Sequence, residues 1–135
     1  MKLRTAIKGL DVSTILHPED KSTMDTLKKI PGFKIVVDKT VGSIMEKYAA
    51  VEYSGEGINV SSQCLPTLNS QIREACRILD MKEIPNCSIN WFYHIGSFSV
   101  GEKSKRIVFP SGSIDLLTAE ELNFLIGHEI GHMKC

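Results

Sequence analysis

No apolar run in this chain is long enough to cross a bilayer, so it is expected to hold no membrane-spanning helix. It has no excess charge of either sign, with 16 Lys and Arg against 16 Asp and Glu. Nothing therefore suggests a surface for nucleic acid or for acidic lipid. The four cysteines, at positions 64, 76, 87 and 135, form no Cys-x-x-Cys pair, which argues against a zinc ribbon. Met1 to Lys8 alternates charged with apolar residues and lacks the uninterrupted hydrophobic stretch of a secretory signal. A disulfide framework is then not expected. The reading is a cytoplasmic protein with reduced thiols, Cys64, Cys76 and Cys87 mostly buried. Repeats, low-complexity segments and long linkers are also missing. What remains, at 135 residues, is one domain or part of one, long enough for a real core.

Residues 1–63 read as a mainly helical region. His17-Pro18-Glu19-Asp20 opens a helix, with proline and carboxylates suited to its positive end. It runs through Met24 and Leu27 to Ile30, and Pro31-Gly32 stops it. His17 is read as a residue at the helix entrance rather than a ligand. A second helix is predicted from Phe33 to about Val51, because Phe33, Val37, Val41, Ile44, Tyr48 and Val51 recur by fours and threes. Ser54-Gly55-Glu56-Gly57 is a turn, and Ile58 to Ser61 a short strand.

Residues 64–135 read as a helix, a small sheet and a last helix. The first helix starts near Pro66 and buries Leu68, Ile72, Ala75, Cys76 and Leu79. After Pro85 the period changes to alternation. Ser88 to Tyr93 puts Ile89, Trp91 and Tyr93 on one strand face, with the aromatics assigned to the core. A second short strand centres on Phe98. A third, Lys105 to Phe109, ends at Pro110-Ser111-Gly112.

The last stretch, Thr118 to Cys135, carries the chemistry. Thr118 with Glu121 forms a capping box that starts the helix. Leu122, Leu125, Ile126, Ile130 and Met133 make a core-facing stripe. Beside the stripe lies His128-Glu129-Ile130-Gly131-His132, a His-Glu-x-x-His motif. Two histidines four apart stand one above the other and can take two corners of a zinc tetrahedron, with Glu129 close enough to act on a metal-bound water. Gly127 and Gly131 are poor helix formers, and close approach of a segment or ligand would explain them. Cys135 lies about 10 Å along the helix from His128, too far to share its metal easily. His94 reads as a surface residue.

Taken in order, several segments resemble metallopeptidase family 48, the HtpX-like and CAAX-prenyl-endopeptidase-like zinc proteases of the gluzincin group. They are His17-Pro18, Leu27 to Phe33, Gly96 to Gly101, Ile107 to Gly112, Leu117-Thr118 with Glu121-Leu122, and His128 to His132. The match is nearest to members without membrane helices. The resemblance implies an α+β, zincin-like fold, with N-terminal helices and a small mixed sheet before the motif helix. It makes 1–135 a single metallopeptidase domain, incomplete because the family's third zinc ligand, a Glu on a later helix, and a group that stabilises the oxyanion have no counterpart here. It assigns zinc to His128 and His132, the general base to Glu129, and peptide binding to the strand with Gly96, Ser97 and Phe98. Gly96 stands where the family usually has Asn. The implied function is a zinc-dependent endopeptidase acting on peptide or protein substrates. The chain by itself would be inactive, with zinc weak or absent. Self-association through the uncovered face of the motif helix is a further expectation. The alternative is a non-catalytic zincin-like module, peptide-binding or chaperone-type.

Overall fold

The computed structural model describes residues 5–14, 16–39, 44, 46–101 and 104–134. Cys135, considered above as a ligand, lies outside the described residues.

Four strands form one mixed sheet: β1 (Ile58–Asn59), β2 (Asn86–Asn90), β3 (Phe98–Val100) and β4 (Arg106–Pro110), in the order β1-β2-β4-β3. β2 and β4 run parallel, while β1 and β3 are antiparallel edges. Among the described residues it is accompanied by the α-helices α1 (Pro18–Lys28), α2 (Phe33–Val37), α3 (Glu46–Gly55), α4 (Pro66–Ile78), α5 (Ser111–Leu116) and α6 (Ala119–Lys134). The architecture is α+β, as the sequence indicates.

The core lies between one face of the sheet and the pair α4 and α6. Leu68, Ile72 and Cys76 from α4 meet Leu122, Ile126 and Ile130 from α6 over Cys87, Ile107 and Phe109. These are the helical stripes read from the sequence. Alternation along β4 turns Val108 to the opposite face, where it is also fully buried. Phe98, paired with Val108, therefore faces that side, and its ring meets Tyr53 of α3 edge-on at 5.3 Å. Ser88 and Asn90 lie on this second face and bond each other, Ser88 Oγ donating to Asn90 Oδ1 at 3.0 Å.

Both ends of α6 are tied down. Thr118 Oγ1 accepts from Glu121 N, and Glu121 Oε2 accepts from Thr118 N at 2.8 Å, which completes the capping box. At the other end, Lys134 Nζ donates to the carbonyls of Leu79 and Asp80. Leu79 and Asp80 lie in the Schellman turn that closes α4: Asp80 is left-handed at φ 53° and Met81 N donates to Cys76 O. A cation there also suits the negative end of the helix dipole. Lys105 Nζ makes the matching contact to Met133 O at 2.6 Å.

Several expectations need correction. Over the helix expected from Phe33 to Val51, Phe33–Val37 and the residues from Glu46 on are α-helical, as α2 and α3, while residues 38, 39 and 44 are in wider π-helical turns; residues 40–43 and 45 lie outside the described set. Because α3 meets the sheet through Tyr53, Ile44, Tyr48 and Val51 of the expected stripe are exposed. β2 stops at Asn90 rather than running on to Tyr93. Its register with β4 ends at Asn90 opposite Pro110, which has no N–H and leads into α5, so residues 91–93 have no strand to pair with. Trp91 and Tyr93 are 74% and 82% exposed and pack on each other, not in the core. Cys64 is exposed as well, held in a turn where Ser61 Oγ accepts from its N–H. Ser111-Gly112 begins α5 instead of ending in a turn. Among the described residues no helix is long and apolar enough to cross a membrane.

Candidate metal centre

On α6 the side chains of His128 and His132 converge. Their Nε2 atoms lie 2.9 Å apart, with the rings at 88° and centroids 4.4 Å apart. Both residues are exposed, so the point between them opens to solvent. Phe124, one turn earlier, stacks on His128 at 6.4 Å and limits how that ring can tilt. Gly127 and Gly131 border the same open side. A Cβ at either would meet nothing within 4 Å, so no described segment approaches them.

Glu129, next to His128 on the helix, reaches the segment that leads into β3 and is only 5% exposed. Its Oε1 accepts a hydrogen bond of 2.8 Å from Ser97 Oγ, from the residue just before β3. Among the described residues, the one buried side-chain polar atom without a partner is Arg106 Nη1. Glu129 Oε2, which no described group bonds, therefore keeps contact with solvent.

The segment that carries Ser97 is fixed by the β4–α5 junction. Gly112 N and Ser111 Oγ both donate to Phe92 O, at 3.0 and 3.1 Å. Ser113, fully buried, accepts from Gly96 N at 2.8 Å and donates to Gly96 O at 2.6 Å. Gly96 has φ +154°, a conformation open to glycine and strained for other residues. Glycine rather than asparagine at this position therefore matches the backbone found here.

The structure thus brings His128 to His132 and Ser97 to Glu129, with Gly96 behind Ser97. The Phe98 side chain does not join them, since its ring lies on the other face against Tyr53. His94 is exposed near Phe92, and His17 caps α1, its Nδ1 accepting from Glu19 N. Sequence reasoning missed Ser113 and Gly112. The small-residue run Ser111-Gly112-Ser113 after a buried strand was their signal, but it reads equally as a plain turn. No group of three or more His, Cys, Asp or Glu that could hold a metal occurs among the described residues.

A helix presenting two convergent imidazoles and a neighbouring carboxylate beneath an edge strand has the arrangement of a metallopeptidase motif helix. Residues 65–135 match the model of peptidase family M48. Over 130 residues the chain is 32% identical to a plastoglobule-localized metallopeptidase 48, chloroplastic, of Arabidopsis thaliana. That alignment covers 95% of this chain and 38% of the relative's length. The chain belongs to peptidase family M48.

Proposed function

We propose that these residues carry the motif helix of a zinc metalloendopeptidase, with His128 and His132 as zinc ligands through Nε2 and Glu129 as general base. The observation that carries this reading is the 2.9 Å approach of the two Nε2 atoms on an open helix face. Tetrahedral zinc with Zn–N of ~2.0–2.1 Å keeps two ligand nitrogens roughly 3.3 Å apart. The pair fits after a small outward movement and loss of the proton that either nitrogen carries. Zinc held there by His128 and His132 would supply a Lewis acid for a scissile carbonyl and would make an attacking water more acidic.

Glu129 takes up the water's proton at Oε2 and passes it to the leaving amine nitrogen. An extended peptide lies along β3, which is an edge strand, and pairs with it through main-chain groups. Because Ser113 engages both polar backbone atoms of Gly96, this pairing involves Ser97 and the residues after it. A third zinc donor, a carboxylate outside the described residues, completes the set.

The test is Glu129→Gln in the complete protein. Casein cleavage should fall by at least ~10²-fold while about one zinc per chain is retained. Undiminished turnover would remove Glu129 from the mechanism. The second reading, a non-catalytic peptide-binding module, draws on the lack of a three-donor group among the described residues. It predicts peptide binding by the complete protein with no zinc dependence and no cleavage.

A further inference from the structure

We propose that Ser97 is a positioning residue for Glu129: it holds one carboxylate oxygen so that the other is left open to solvent. This rests on the reading of Glu129 as general base.

Ser97 Oγ donates to Glu129 Oε1 at 2.8 Å across 32 residues of sequence. Among the described residues it is the sole hydrogen-bond partner of a carboxylate that is 5% exposed. The last torsion of a Glu side chain is broad, so an unheld carboxylate swings freely. One fixed donor removes much of that freedom and makes the two oxygens unlike. Oε1 is occupied by Ser97, and Oε2 reaches solvent. The contact survives a turnover, because a hydroxyl can donate to Oε1 whether or not Oε2 carries a proton.

Ser97 can act as a fixed donor because its own place is fixed. Its predecessor Gly96 is clasped at both N and O by the buried Ser113 hydroxyl. From Phe98 onward the chain is in register with β4. Alternation turns Ser97 to the same face as Ser99, which pairs with the core residue Ile107, the side on which α6 packs. The hydroxyl is thus held from both directions along the chain.

The experiment uses the complete, zinc-loaded protein and casein as substrate. Ser97→Ala should lower kcat roughly tenfold with KM changed less than about twofold, the loss of one hydrogen bond to a charged group in the rate-limiting barrier. Zinc content should not change. Ser97→Thr keeps the hydroxyl and should restore most of kcat, whereas Ser97→Val, of the same shape without it, should not. A Val variant as active as the Thr variant, or a loss confined to KM, would overturn the proposal. A second measurement does not depend on activity. The urea midpoints of Ser97→Ala, Glu129→Ala and the double variant should depart from additivity, and strict additivity would refute the contact. If Glu129→Gln cleaves casein at the normal rate, the general-base reading falls instead. The urea cycle then still judges the Ser97–Glu129 contact alone.

Discussion

Alanine in place of glycine should have opposite signs at two positions in this chain. At Gly112 an added Cβ would lie 2.7 Å from the Tyr93 carbonyl oxygen and 3.0 Å from that of His94. Both are backbone atoms and cannot rotate away, so the segment above α5 must shift bodily. Overpacking of this kind costs about 1–3 kcal/mol. At Gly127, inside α6, a Cβ meets nothing within 4 Å. There alanine adds helix propensity and stabilises by about 1 kcal/mol. For a domain of this size 1 kcal/mol moves the melting temperature by roughly 3–5 °C. Followed by far-ultraviolet circular dichroism, Gly112→Ala should melt several degrees below the parent and Gly127→Ala several above. Gly112→Ala should also disturb cleavage, because the displaced segment leads to Gly96 and Ser97. A neutral Gly112→Ala would refute the steric argument. A destabilised Gly127→Ala would mean that something does approach that face of α6, as the glycine spacing first suggested.

Two further outcomes follow from ionisable groups. Burial pushes the thiol pKa of Cys76 to about 11 and that of Cys87 to about 12, while Cys64 is exposed. Under native conditions maleimide should modify Cys64 and spare Cys76 and Cys87, all three reacting in urea; rapid native labelling of Cys87 would contradict its placement in the core. The Thr118 side chain, then the Thr118 backbone N–H, hold the Glu121 carboxyl below its ordinary value of 4.5. A carboxyl whose folded pKa is depressed adds stability above the unfolded value, and this is lost as pH falls through the folded value. The stability gap between the parent and Glu121→Gln should be full at neutral pH and close below about pH 4.5; a gap independent of pH would show that the charge does not matter to the cap.

The parts of the molecule that the sequence discloses are those whose causes are local. α6 announces itself through a capping box from Thr118 to Glu121 and a stripe at helical spacing, and both ends of that box are bonded as expected. α4 is equally plain, since Leu68, Ile72 and Cys76 are buried where their spacing puts them. The aromatic run after Asn90 misleads because alternation records only which faces a strand would have, not whether a partner strand continues beside it. β4 ends at Pro110, and with it the pairing available to Trp91 and Tyr93. The stripe from Phe33 misleads for a related reason: apolar spacing does not say which helix face the rest of the fold covers.

The same division runs through the site. His128 and His132 are one helical turn apart in sequence, so their convergence follows from the helix alone. The setting of Glu129 does not. Its hydrogen bond comes from Ser97, whose position depends on Ser113, and neither spacing has a local rule behind it. A two-histidine motif can therefore arise on any well-capped helix, but a carboxylate with one oxygen held and one free requires the sheet edge to be delivered to it. Here that delivery is made by the β4–α5 junction, through a serine hydroxyl that both donates to and accepts from one glycine. Loss of the Ser113 hydroxyl should then affect Glu129 by way of Ser97 while leaving the approach of the two histidines intact, because the helix sets that approach unaided.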